Sequence, residues 1–372
     1  MGKRVFTREA YVAAKSSAGV GLAYVTRRAE KQAMKTGRLE PLVDPSGFGV
    51  VRLSLPRVEK VNDSQYELLI GTPLPIETRV DTTGSMGGNV DTTMKVLPDA
   101  FDSWSKVASD YDIQIATGIF GDISDNFPLC RPQFEMDADK IVNQLTLMVP
   151  ERNGGDYPED PDYGIFAGAY LCRHYINRIG LKGYDFTVTD APGRGLLSED
   201  QLIRIFGDKV YDKVAENGFQ IRRGILQLED VWSALLDRAH AFILQVDSGQ
   251  STSSFWSRIV GDSRIVRVPD THYLPHVQAV IIGLTEGTLI LNDVAGFLQQ
   301  FNINSDIISS IERSVINIPI GVQRQSRNYN RRPKKGDLFD GKPDVWEDKN
   351  LWPVSAAIDS VSTEQEDEDD WL

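Results

Sequence analysis

Asp81, Thr83 and Ser85 occupy alternate positions in Thr78-Arg79-Val80-Asp81-Thr82-Thr83-Gly84-Ser85-Met86, just after a short extended run. Side chains two apart on an extended segment point the same way. One carboxylate and two hydroxyls would therefore converge at the carboxyl end of a strand, a set of hard oxygen ligands suited to a divalent cation. Two further segments carry oxygen at the tips of turns. Asn153-Gly154-Gly155-Asp156-Tyr157-Pro158-Glu159-Asp160 is a glycine-rich loop opening a helix, with Asp156 just ahead of the helical turn. Val188-Thr189-Asp190-Ala191-Pro192 delivers Asp190 from a strand into a tight turn. In a doubly wound sheet, ligands bind outside the carboxyl ends of strands near the topological switch point, so three such loops could meet on one cation.

The elements that must position these tips alternate along the chain. Residues 48–55 read as a strand and residues 66–70 as its partner, with Asn62-Asp63-Ser64 as the turn. Val90, Met94, Leu97, Phe101 and Trp104 fall at helical spacing, and Pro98 is expected to interrupt that face. Ile113, Ile115, Thr117 and Ile119 alternate as a strand. Asp137 is placed to cap a helix carrying Ile141, Leu145 and Met148. Another helix is expected after Pro161, a short strand ends at Asp190, and Ser198 with Gln201 opens a further helix. Residues 241–246 and 265–268 read as buried strands, and residues 276–284 as a helix. Strands alternating with helices imply a mostly parallel sheet covered on both faces.

With the three loops in that order, the chain resembles the von Willebrand factor A-type (vWA) domains and their metal-ion-dependent adhesion site. The clear resemblance covers about residues 75–195 and the same fold is expected to run to about residue 285. It is closest to the intracellular members carrying Asp-Thr-Thr-Gly-Ser-Met and Gly-Gly-Asp-x-Pro-Glu-Asp. The resemblance implies a Rossmann-like three-layer α/β sandwich with an N-terminal β-hairpin extension and a C-terminal helical annex. It implies metal ligation by Asp81, Thr83, Ser85, Asp156 and Asp190, with Asp122 (in Phe120-Gly121-Asp122) and Glu159 behind them. Asp156 departs from the family, which usually offers Thr there. A third carboxylate should bind the metal more tightly and attract an acidic ligand less. Mg²⁺ is the expected ion, with Mn²⁺ or Ca²⁺ as substitutes. The implied action is recognition: a partner protein's Asp or Glu completes the metal's shell, in a scaffold or adaptor working beside an ATPase or other effector.

Composition sets the outer limits. The chain has 372 residues, 41% hydrophobic and 25% charged, ordinary values for a globular protein. A net charge of −13 argues against a general nucleic-acid binder. No run of about 18 apolar residues exists, so no membrane span is expected. Cys130 and Cys172 read as buried thiols in a reducing compartment, and with no secretory pattern the expected location is cytoplasmic. The expected organisation is a basic arm over 1–45, the vWA-like domain with its hairpin over 46–288, the helical annex over 289–322 and a disordered charged tail over 323–372, ending in an acidic run and Trp371-Leu372. Two other functions remain open. One is a Mg²⁺-dependent hydrolase using the same acidic cluster, for which Arg79 and Arg194 are the nearby cations. The other is a structural assembly protein, and oligomerisation is open for either. No nucleophile and base stand beside the metal tips, and His272 and His276 are separated by Pro275, which disfavours a histidine metal site.

Overall fold

Residues 73–81 form a strand with every residue buried, so it must lie at the centre of a sheet covered on both faces. The structure, a computed structural model, describes residues 9–10, 12–13, 22–47, 50–86, 89–151, 158–246 and 249–340. Among these, the central sheet has six strands: β1 (Pro73–Asp81), β2 (Asp112–Phe120), β3 (Leu129–Cys130), β4 (Gly183–Thr189), β5 (Ala239–Val246) and β6 (Ile265–Val268). Their order is β6-β5-β4-β1-β2-β3. All neighbours pair in parallel except β2 and β3. The order reverses direction between β1 and β4, which places the switch point at the ends carrying Asp81 and Asp190. The chain is a Rossmann-like three-layer α/β sandwich.

The two faces of the sheet differ. Leu74, Ile76 and Val80 of β1, Tyr184, Phe186 and Val188 of β4, and Phe242, Leu244 and Val246 of β5 enter one apolar core. Helices α1 (Asn89–Val107) and α6 (Leu274–Glu286) cross that side, with Trp104 and Val277 fully buried. Helix α1 continues through Pro98. Helix α2 (Ala138–Thr146) also packs into this core and is capped as expected, Asp137 accepting from Asp139 N. The second core contains helices α3 (Asp162–Tyr170), α4 (Leu228–Leu236) and α5 (Gln250–Val260), with Phe166, Trp232 and Trp256 buried.

Between α3 and the sheet lies a row of charge. Alternation puts Glu77, Arg79 and Asp81 of β1 on the same face. Arg79 is fully buried. Its Nη1 donates to Asp185 Oδ2 at 2.9 Å, Nη2 donates to Asp185 Oδ1, and Nη2 also reaches Thr187 Oγ1 at 3.2 Å. Glu77 receives Arg131 Nε at 3.0 Å and stands 3.3 Å from Arg79 Nη1. Burial alone would raise the Glu77 carboxyl, but Arg131 and Arg79 together more than reverse this and hold it below the ordinary carboxylate range. Gly164 and Gly168, one helical turn apart on α3, leave the room. A Cβ on Gly164 would stand 2.6 Å from Arg79 Cδ, and one on Gly168 would stand 2.6 Å from Asp185 Oδ2.

Three expectations about the periphery need correction. The hairpin pairs Val58–Asn62 with Gln65–Leu68, and Asn62 Oδ1 accepts Ser64 N at 3.0 Å in the turn. The preceding segment does not pair there: Arg52–Ser54 instead runs parallel to Cys172–His174, and Phe48 lies outside the described residues. The basic arm is tied down at its carboxyl end, with Val43 fully buried and Arg52 donating to the Asp44 carbonyl at 2.7 Å. Residues 323–340 are not a disordered tail. Gln323 and Tyr329 are buried, Arg332 sits 4.3 Å from the ring centre of Tyr111 and 4.0 Å from that of Tyr329, and Leu338–Asp340 pairs with Gln65–Leu68. A guanidinium stacked on aromatic rings can cover apolar surface. The acidic run and Trp371-Leu372 lie outside the described residues. The annex folds as Val294–Gln299 and Ser305–Val315 against the first core. No helix of the described residues is long and apolar enough to cross a membrane.

Candidate metal centre

Strand β1 ends at Asp81, whose side chain is fully buried. The chain then turns into a short 3-10 segment, Gly84–Met86, and Asp81 itself organises the turn. Its Oδ1 accepts Thr83 N at 2.9 Å and Thr83 Oγ1 at 2.7 Å. Its Oδ2 accepts Thr189 Oγ1 from the end of β4 at 2.8 Å. Thr83 Oγ1 lies 3.2 Å from Ser85 Oγ, and Ser85 Oγ donates to Asp190 Oδ1 at 3.1 Å. Asp81, Thr83, Ser85 and Asp190 thus form one continuous chain of oxygens across the switch point. Asp156 belongs to residues 152–157, outside the described residues.

The loop after β4 is held from behind. Thr189 Oγ1 accepts Ala191 N at 3.0 Å, Trp256 Nε1 donates to the Ala191 carbonyl at 3.0 Å, and Glu159 N donates to the Pro192 carbonyl at 3.1 Å. Gly193 packs so closely that a Cβ there would stand 2.2 Å from Asp162 Oδ1. Thr189 was not singled out from sequence. Thr189 could have been, because it precedes Asp190 on a strand neighbouring β1.

Behind the oxygens lies a second acidic layer. Asp122 is fully buried; its Oδ1 accepts Ser124 N at 2.6 Å and its Oδ2 accepts Arg194 Nη2 at 3.1 Å. Arg194 Nε also donates to Asp160 Oδ1 at 2.8 Å. Glu159 is buried, and its Oε2 has no hydrogen-bond partner among the described residues. Burial, then the charges of Asp81 and Asp122, push the Glu159 carboxyl up to about 8. Burial also raises Asp81 to about 6, with Asp190 adding to the effect and Thr83 and Thr189 opposing it. Among the described residues no three His, Cys, Asp or Glu side chains cluster as a metal site; the centre draws on hydroxyls as well as carboxylates.

Asp162, the first residue of α3, is fully buried, with Oδ2 accepting Gly195 N at 2.8 Å and Oδ1 without a hydrogen-bond partner among the described residues. Burial pushes its pKa up to about 8, against an unfolded value of roughly 4. The folded state therefore keeps a proton that the unfolded chain releases, and the stability this group contributes falls as pH climbs from about 4 to 8. Asp162→Asn should flatten that dependence, so that chemical denaturation at pH 5 and pH 8 differs by at least about 1 kcal/mol less than in the wild type.

The two histidines four apart do not share a site. His272 is exposed and bonded to Asp270, whereas His276 is buried beside Phe301. Cys130 and Cys172 are both buried thiols.

The fold and the centre define a doubly wound α/β domain with its oxygen-bearing loops at the switch point. No protein-family model and no curated protein matches the chain. Among solved structures it is similar to the pilus adhesin SpaC from Lactobacillus rhamnosus GG in the open conformation, at 10% identity over 61% of this chain and 33% of that one, TM-score 0.36. It is also similar to proximal thread matrix protein 1 from the mussel byssus, at 11% identity over 58% and 48%, TM-score 0.34. A third similar structure is the SpRpn10 VWA domain, at 13% identity over 55% and 94%, TM-score 0.33. The chain spans about a third of the adhesin and about half of the thread matrix protein.

Proposed function

We propose that this chain is a vWA-type interaction module whose switch-point loops hold Mg²⁺, or Mn²⁺ or Ca²⁺ in its place, and present it to a carboxylate of a partner protein. The observation carrying this reading is the unbroken run of oxygens from Asp81 through Thr83 and Ser85 to Asp190. Its chemistry suits a hard cation, because two carboxylates supply charge and two hydroxyls supply neutral oxygen. Glu159 Oε2, without a hydrogen-bond partner among the described residues, supports the fit, since a buried carboxylate oxygen without a donor is costly unless a proton or a cation answers it. Asp81, Thr83, Ser85 and Asp190 would hold the ion, with Asp156 added from its loop, and Asp122 and Glu159 would stand behind. When bound, the ion would supply an electrophilic position for an incoming acid group. Thr189 orients Asp81, and the bonds to Ala191 and Pro192 orient Asp190. The class of partner that the resemblance implies is an ATPase or other effector.

The hydrolase reading draws less support. Arg79 is committed to Asp185 and Glu77 inside the core, and Arg194 is bonded to Asp122 and Asp160.

Affinity capture from native cells, with and without EDTA, tests the proposal. Partners retained by the wild type should be lost with EDTA and lost again with Asp81→Ala. A partner set unchanged by both treatments would refute the metal-dependent reading and favour an assembly role.

A further inference from the structure

The opposite pole of the central sheet carries a second concavity. Lys182 just before β4, His240 on β5, Arg264 just before β6, and Gln323, Gln325 and Ser326 line a cavity of about 410 Å³. Small-molecule pockets fall in the range of roughly 300–1,000 Å³. These residues sit at the amino ends of the strands, whereas Asp81 and Asp190 sit at the carboxyl ends, so the two sites are separate.

The cavity has one sign of charge. None of its described lining residues is acidic. Lys182 and Arg264 bring two cations to it. Burial lowers the Lys182 pKa and the charge of Arg264 lowers it further, while Asp237, outside the lining, acts in the other direction. Arg264 lies with its guanidinium 5.1 Å from the ring centre of Phe242, which fixes its direction. Its Nη1 is sealed from solvent and has no hydrogen-bond partner among the described residues. The half-buried guanidinium nevertheless lines the cavity, and an anion there would offset the cost of two neighbouring cations.

The remaining walls are held in place. Gln323 Nε2 donates to the Lys182 carbonyl at 2.7 Å, and Gln323 Oε1 accepts Lys182 N at 3.2 Å. The same Oε1 lies 3.1 Å from His240 Nε2. Ser326 Oγ donates to the Gly180 carbonyl at 3.0 Å. Lys182 Nζ donates to the Leu236 carbonyl, which leaves two of the three ammonium donors for a ligand.

We propose that this pocket binds a phosphate group, as the free ion or on a small phosphomonoester. Two cations and an amide offer more charge and more donors than the two oxygens of a single carboxylate use, and a phosphate brings a second negative charge and three acceptor oxygens. A ligand there would touch the starts of β4 and β5 together with residues 322–326, and so would tie the C-terminal segment to the sheet.

The full chain should be titrated calorimetrically, in Mg²⁺-free buffer at low ionic strength, with inorganic phosphate, ribose 5-phosphate, ribose and glutamate. Saturable binding of inorganic phosphate or ribose 5-phosphate is expected. It should weaken about tenfold or more in Arg264→Gln and in Lys182→Gln and stay unchanged in Asp81→Ala. Tighter binding of ribose 5-phosphate assigns the ester, and equal binding assigns the free ion. Arg264→Lys keeps the charge but not the planar fork of donors, and should fall between wild type and Arg264→Gln, so the test survives if Arg264→Gln fails to fold. Absence of saturable phosphate binding, equal affinity in the Arg264 variants, or glutamate binding as tightly as phosphate would overturn the proposal.

Discussion

Arg79→Met should lower the free energy of unfolding by about 3–5 kcal/mol, among the largest effects available to a single substitution in this chain. The reason is the carboxylates left behind. Arg79 answers Asp185 with both terminal nitrogens and stands beside Glu77, and all three groups are buried between the sheet and α3. Deleting the cation strands Asp185 in a region that water does not reach and leaves Glu77 with Arg131 as its remaining cation. Asp185→Leu should also destabilise, because Arg79 then loses its main partner. The double variant should cost clearly less than the sum, because each single change strands a charge that the other removes. Urea denaturation of the four proteins gives the coupling directly. Additive losses would mean that the pair does not act as a unit.

On the proposed reading, the second large effect concerns metal affinity. Asp81 sits at the centre of the oxygen chain, bonded to Thr83 on one side and Thr189 on the other. Removing a residue that only orients a ligand typically costs about 10–100-fold in metal affinity. Thr189→Val should therefore weaken Mg²⁺ binding by about tenfold, and Asp81→Ala by about a hundredfold or more. Calorimetric titration with Mg²⁺, alongside melting curves to establish that each variant is folded, separates the two. Wild-type affinity in Asp81→Ala would place any bound ion elsewhere.

The parts of the fold written in local pattern were legible. Asp81 and Asp190 each end an apolar strand, so their meeting at the switch point could be anticipated, whereas Thr83 and Ser85 reach the same oxygens through the turn after β1 and not through the expected two-residue period. The pairing of Arg52–Ser54 with Cys172–His174 could not, because partners so far apart leave no local trace. A turn signal at Asn62-Asp63-Ser64 drew the wrong preceding segment into the hairpin. Glu77 and Arg79 gave no hint of burial either. A charged residue in a strand ordinarily suggests a solvent face, and only the helix above them, with glycines at 164 and 168, turns that face into interior. The basic composition after residue 323 pointed away from packing for a similar reason: the sequence shows the charge of Arg332 but not the two tyrosines that sandwich it.

The clamp between Arg79 and Asp185 also sets a dimension. It cross-links β1 to β4 within the sheet, and the Thr189 bond to Asp81 ties the same two strands where they release Asp81 and Asp190. The spacing between the two acidic tips is thereby stiff, and a stiff gap discriminates guests by radius. On the proposed reading, the centre should favour a small ion over a large one for mechanical reasons, and loosening the clamp should blunt its choice between Mg²⁺ and Ca²⁺ before it abolishes binding.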